Sequence, residues 1–209
     1  MPDAASNILV ILLHGVGSNG ESLASLGKRL AVALPNAVFA APDGPEPSAT
    51  GQGRQWFSVA GVTTENRPAR IAAARPGFDQ TVSAIIEKNG FAGRLDRVAF
   101  VGFSQGTIMS LDAIASGRWP VGAVVGFSGR LSAPEPHAPR GSTPLLLVHG
   151  TDDRVIAAEE TENAAGKFAA LGLPVEMRIE PGLGHTISGS GAAYAGEFLA
   201  KVFNVVTAA

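Results

Sequence analysis

Short unbroken apolar runs alternate along the chain with longer stretches in which apolar residues recur every three or four positions. The runs 8–13, 37–41, 97–103, 122–127, 144–148 and 175–179 are too short for helices and rich in Val, Leu, Ile and Phe. Most of these runs are unbroken, as expected for parallel strands buried on both faces. The stretches 20–34, 77–89, 106–116, 157–171 and 191–202 have helical length and spacing, as in Ile108, Leu111 and Ile114. The order βαβαβαββαβα predicts an α/β fold, an open and mostly parallel sheet with helices on both faces. Active sites in such sheets form beyond the carboxyl ends of the strands. No internal repeat divides the chain, and 209 residues that are 45% hydrophobic suit a single domain, 1–209. Segment 44–76 is too long and too rich in Pro, Gly and Arg for a plain connection, so it is expected to overhang the site as an insertion loop.

Composition narrows the partners. A formal net charge of −2 and 16% charged residues, with no basic run, exclude an electrostatic footprint for nucleic acid or an anionic membrane. Zero cysteines exclude disulfides, a thiol nucleophile and cysteine metal ligands. Residues 1–7 contain no basic n-region, and run 8–13 is too short for a signal-peptide core or a membrane span. A cytoplasmic protein with no stable membrane insertion is expected.

The run 97–103 ends in Gly102-Phe103-Ser104-Gln105-Gly106, just before a helical stretch. That is the setting of a G-x-S-x-G nucleophile elbow, in which small neighbours let strand and helix approach and a strained turn presents the serine. A glycine-rich turn that carries a serine by accident is the alternative, so other loops must supply partners. The loop His14-Gly15-Val16-Gly17-Ser18-Asn19-Gly20 lacks the Lys-Ser/Thr pair of a phosphate loop. It suits backbone donors for an oxyanion, with Val16 pairing the N–H of Gln105 and Gly17 as an extra contact. Asp152 and Asp153 follow run 144–148, and either caps a helix or orients a histidine. Of the four histidines, only His185 follows both the serine and these acids, which meets the order Ser, Asp, His. His14 and His149 follow strands and are expected to be buried structural groups, and His137 a solvated one. No histidine pair has the i, i+4 spacing of a metal site, so no metal is expected.

These segments, together with Ala41-Pro42-Asp43-Gly44-Pro45, Arg54-Gln55-Trp56-Phe57-Ser58 and His149-Gly150-Thr151-Asp152-Asp153, resemble the phospholipase/carboxylesterase family of α/β-hydrolases, which includes acyl-protein thioesterases. The resemblance implies an α/β-hydrolase fold without a large cap domain. In the family the acid stands four residues after the His of the His-Gly pair, which selects Asp153 over Asp152. The resemblance also implies Trp56 and Phe57 beside the acyl pocket, though anchoring of the loop to the core fits them equally. Thr107 departs from the family, standing where a third glycine is common. The first strand begins about six residues from Met1, so the antiparallel strands that open many α/β-hydrolases are expected to be trimmed.

The expected activity is a serine carboxylesterase that forms an acyl-enzyme on Ser104, with His185 as base and Asp153 as its orienting acid. No cofactor is required. Short to medium acyl esters are the expected substrates, with thioester or lysophospholipid cleavage as the alternative. A non-catalytic binding protein of the same fold is the reading from another class. Apolar groups around Trp56 leave monomer and homodimer both open, and Arg54, Arg67, Arg70 and Arg75 are either solvated or meet an anionic head group.

Overall fold

The computed structural model describes residues 8–49 and 51–205, and the expectations for residues 1–7 lie outside them. In chain order the main elements are β1 (Ile8–Leu13), α1 (Ala24–Ala33), β2 (Ala37–Ala40), β3 (Glu46–Pro47), β4 (Arg54–Gln55), α2 (Arg67–Lys88), β5 (Val98–Phe103), α3 (Gln105–Ala115), β6 (Ala123–Phe127), β7 (Leu145–Gly150), α4 (Glu159–Ala170), β8 (Val175–Glu180) and α5 (Gly189–Val202). Six strands form one sheet of order β2-β1-β5-β6-β7-β8, and every neighbouring pair is parallel. β3 and β4 make a separate antiparallel ribbon.

Alternate residues of each strand point into different cores. Leu9, Ile11 and Leu13 of β1 and Phe100 of β5 join Phe78 of α2, Met109 of α3 and Phe168 of α4 in one cluster. Ile8, Val10 and Leu12, with Ala99 and Val101, join Leu26 and Leu30 of α1 and Phe198 and Leu199 of α5 in the other. Both faces of the central strands are therefore dry, which explains why β1, β5, β6 and β7 read as apolar runs, whereas the edge strand β8 carries Glu176 and Arg178 and leaves Met177 exposed.

One predicted boundary is corrected. The helix expected over 77–89 begins ten residues earlier, at Arg67, and Pro76 lies inside it. A proline inside a helix removes one backbone donor and clashes with the preceding turn. Here Ile71, Phe78, Val82 and Ile86 are all buried along one face of α2, and this packing outweighs the local penalty. The insertion is thus 44–66, with only the short β3–β4 ribbon in it and no cap domain among the described residues. Arg67, Arg70 and Arg75 belong to α2.

Candidate active site

The loops that follow β1, β5, β7 and β8 meet at the carboxyl edge of the sheet. β5 is central, between β1 and β6, and its last residue, Phe103, leads directly into Ser104. Ser104 has φ 51° and ψ −113°, a left-handed conformation that costs a non-glycine residue energy. Close approach explains the flanking glycines. A Cβ on Gly102 would lie 2.4 Å from the Thr107 nitrogen, and one on Gly106 would lie 1.9 Å from the Leu13 carbonyl oxygen. Strand and helix can meet this closely only without those side chains.

His185, on the loop after β8, places Nε2 3.0 Å from the Ser104 Oγ. Its Nδ1 lies 2.6 Å from Oδ2 of Asp153. Since the carboxylate only accepts, Nδ1 carries the proton and Nε2 is left to accept one from the serine. Asp153 is held on its other oxygen, where Oδ1 accepts from the Val155 and Ile156 amides at 2.8 and 2.9 Å. Burial alone would raise this carboxyl, but the hydrogen bonds from His185, Ile156 and Val155 outweigh it and hold the group below the ordinary aspartate value. Asp152 is exposed, and its carboxylate accepts from the neighbouring Thr151 hydroxyl.

The acid and histidine loops are tied together. Thr151 N donates to Glu180 O, Asp152 N to Leu183 O, and Gly182 N to Thr151 Oγ1. A Cβ on Gly150 would lie 2.0 Å from the Leu183 carbonyl oxygen, so this seam also requires glycine. At the far end of the histidine loop Glu180 accepts from Ser188 and Ser190 at 2.6 and 2.7 Å. Burial would raise Glu180, and these two hydroxyls with Arg178 reverse that shift.

His149 shows a role that the sequence pattern did not reveal. Its ring is 1% exposed, with Nε2 3.1 Å from Asp153 Oδ2 and 2.8 Å from the Ile156 carbonyl oxygen. Two acceptors at Nε2 require the proton there, so Nδ1 accepts from the Thr161 hydroxyl at 2.7 Å. A second buried imidazole therefore supports the same carboxylate oxygen as His185. The presence of Asp153 four residues on is the signal that marks it.

The backbone N–H groups of Val16 and Gln105 have no hydrogen-bond partner among the described residues. Val16 lines the cavity on which Ser104 opens, and Gln105 is the first residue of α3. Gly17 is different. Its N–H donates to Arg54 O at 2.9 Å, so it has no amide to offer a substrate, and it does not line that cavity.

The protein-family model described as phospholipase/carboxylesterase matches residues 1–203. The chain belongs to the phospholipase/carboxylesterase family. The esterase YpfH of Escherichia coli K12 is 35% identical over 194 residues, 93% of this chain and 82% of the relative. Acyl-protein thioesterase 1 of Yarrowia lipolytica is 27% identical, with 73% of this chain and 72% of the relative aligned. The crystal structure of esterase PE8 matches with a TM-score of 0.86 and 33% identity, over 95% of this chain and 94% of that one. This family member is a carboxylic ester hydrolase of the α/β-hydrolase fold that acts on small-molecule substrates. Among the described residues no helix is long and apolar enough to cross a membrane.

The cavity beside Ser104 measures about 530 Å³ and is walled by the loops after β1 and β8 and by residues of α1 and α5. Trp56 and Phe57, expected beside the acyl chain, do not line it. Trp56 is 1% exposed, packs edge-on against Phe78, and donates from Nε1 to the His14 carbonyl at 2.9 Å. Phe57 borders a separate small hollow with Ser58 and Arg70. These residues instead hold the site from behind. Gln105 Oε1 accepts from Trp56 N at 2.8 Å and Gln105 Nε2 donates to Phe57 O at 2.7 Å, so segment 56–57 clamps the residue next to Ser104.

His14 completes the brace. Its Nδ1 donates to Gly15 O at 2.7 Å and its Nε2 accepts from Gly44 N at 2.8 Å. Burial lowers its pKa, against the raising effect of the Gly15 carbonyl, so it stays the neutral acceptor that Gly44 needs. Arg54 of the insertion and Arg70 and Arg75 of α2 serve the framework, and none of them lines the cavity. Arg54 donates to the Gly44 and Pro45 carbonyls, Arg70 to the Ser58 carbonyl, and Arg75 makes a two-pronged pair with Asp112.

Proposed function

We propose that Ser104 is the nucleophile, His185 the general base and Asp153 the acid that orients it. The observation that carries this reading is the unbroken chain of hydrogen bonds from Ser104 Oγ through His185 to Asp153, at 3.0 and 2.6 Å. Serine is a weak nucleophile at neutral pH, so its proton must pass to His185 Nε2 as Oγ attacks the ester carbonyl. Asp153 then faces an imidazolium across a short hydrogen bond and stabilises it. The oxyanion of the tetrahedral intermediate is held by the Val16 and Gln105 amides, whose freedom from other partners supports that role. Removing one such donor typically costs about 3 kcal/mol of transition-state stabilisation. His185 next returns its proton to the departing alcohol, and water repeats the cycle to release the acid.

Esters with short to medium acyl chains are the proposed substrates. A cavity of about 530 Å³ falls within the range of pockets that enclose small ligands, and Val16, Leu26, Phe103 and Ile187 supply apolar wall. The reading is tested by p-nitrophenyl esters of increasing chain length, with palmitoyl-thioester and lysophospholipid as comparators, on wild type and Ser104→Ala. Turnover should depend on Ser104 and peak among the shorter esters. Equal turnover by the two proteins overturns the nucleophile, and a maximum at palmitoyl-thioester overturns the chain length.

A further inference from the structure

The cavity beside Ser104 is lined by apolar side chains and hydroxyls together with one cation, Arg29. Ser22, Leu26 and Arg29 all line it, at spacings of four and three residues, so one face of the helical segment forms a wall. At ~1.5 Å per residue this wall runs about 10 Å from Ser22 to Arg29. Its start is tied to the loop after β1 by the Ser18 hydroxyl, which donates to the Ser22 hydroxyl at 2.6 Å, and Phe103, Ile187 and Ala192 pack in one apolar cluster with Leu26. Ser25 and Gly189 lie at the Arg29 end, where a Cβ on Gly189 would sit 3.2 Å from Arg29 Nη1.

Arg29 is the one Lys, Arg, Asp or Glu side chain on this lining. It is also unoccupied. Arg54, Arg70, Arg75, Arg118, Arg130 and Arg178 each donate to a carbonyl or carboxylate. The Arg29 guanidinium has no hydrogen bond or ion pair among the described residues. Glu180, behind Ser188, already accepts from Ser188, Ser190 and Arg178. A guanidinium left open on the wall of this cavity offers two parallel donors to a carboxylate or phosphate. The exposure of Arg29 lets such an anion remain partly hydrated, which avoids the cost of burying its charge.

We infer that this cavity selects esters carrying an anionic group, carboxylate or phosphate, at the end remote from the ester carbonyl, and that Arg29 pairs with that group. The inference rests on Ser104 being the nucleophile and adds the substrate class. Either half of the ester can carry the charge, and matched substrates separate the two sources. On the acyl side, the p-nitrophenyl monoester of adipic acid is compared with p-nitrophenyl hexanoate. On the alcohol side, the butyrate of a phosphohexanol is compared with hexyl butyrate.

Wild type should prefer the anionic member of one pair. Arg29→Gln should lower kcat/KM for that substrate about fivefold, mainly through KM, and leave its neutral partner within about twofold. Arg29→Glu should lower it further, with a difference that shrinks in about 0.5 M salt. Parallel changes in the anionic and neutral members of both pairs, or no change in any, would overturn the inference. Ser104→Ala reports on the nucleophile separately, because it must abolish hydrolysis of charged and neutral esters alike. Discrimination by Arg29→Gln with activity retained in Ser104→Ala would leave charge selection standing and remove the serine mechanism.

Discussion

Two serines in this molecule end adjacent strands, and only one has the surroundings of a nucleophile. Ser104 follows β5 and Ser128 follows β6, and both adopt left-handed backbone, with φ 51° and 48°. Each donates its N–H to the next strand, Ser104 to Phe127 O and Ser128 to Val148 O, both at 2.9 Å. Each has a glycine two residues before it. They differ in the segment each serine opens and in the side chains that reach it. Ser104 opens α3 and receives His185, whereas Ser128 enters an irregular stretch and none of the four histidines hydrogen-bonds to it. Thr107 joins the two turns. Its hydroxyl donates to Phe127 O at 2.8 Å, and a Cβ on Gly126 or Gly129 would fall 2.6 or 2.3 Å from its Cγ2 methyl. The threonine that stands where relatives often have glycine is accommodated by glycines on the second turn. Backbone strain therefore marks a tight strand end, and reactivity needs the base and the cavity besides.

The largest expected effect would break that contrast outright. Ser104→Ala should lose on the order of 10⁴-fold or more in kcat, while Ser128→Ala stays within about threefold. Mass spectrometry after treatment with a fluorophosphonate should find the adduct on Ser104, and labelling of Ser128 would reverse the assignment. Next, Asp153→Asn should cost about 10⁴-fold in kcat by releasing the His185 tautomer, and Asp152→Asn within about threefold. The reverse ranking in a kinetic comparison would remove Asp153 from the mechanism.

Smaller effects probe the packing and the supports. Ala at Gly106 meets the backbone of Leu13, which cannot yield, whereas Ala at Gly126 meets chiefly a threonine methyl. Urea titration should show Gly106→Ala destabilised by about 3 kcal/mol or unable to fold, and Gly126→Ala by about 1–3 kcal/mol. Thr107→Ser should recover much of the second loss, and rescue of Gly106→Ala by the same change would contradict the steric account. His149→Ala should lower kcat about tenfold with KM little changed, because it loosens Asp153 without touching the cavity. An equal fall in activity and in folded fraction would instead make it a packing residue only.

The smallest effect is the pH dependence of stability. The Asp153 carboxyl is lowered by folding, so its contribution is complete above the unfolded value, about 3.9, and is lost as pH falls through the lower folded value. Wild type and Asp153→Asn should differ most in urea midpoint at neutral pH and converge as pH falls below the ordinary aspartate range. A constant gap across that range would show that the charge contributes nothing.

Local physics determined much of this protein from sequence alone. Strands packed on both faces must be apolar throughout, so most of the six runs marked the sheet, with ends displaced by only one or two residues, and the less apolar 175–179 proved to be an edge strand. The elbow was legible because Gly102 and Gly106 are required by contacts between neighbouring segments of strand and helix. Chain order singled out His185, since a base must come from a loop at the same sheet edge. What tertiary structure decided lies in contacts between distant segments. Trp56 meets Gln105 across 49 residues of sequence, and Phe78 of α2 covers it from the other side. That placement turned an expected acyl wall into a support. The Gly17 amide went to Arg54, and the helical face of α2 overrode Pro76, for the same reason: a residue's type limits what it can bond to, but only the packed chain supplies the partner. Arg29 is the converse case, an ordinary surface arginine in sequence whose proposed role comes from its place on the lining of the Ser104 cavity, where no acid competes for it.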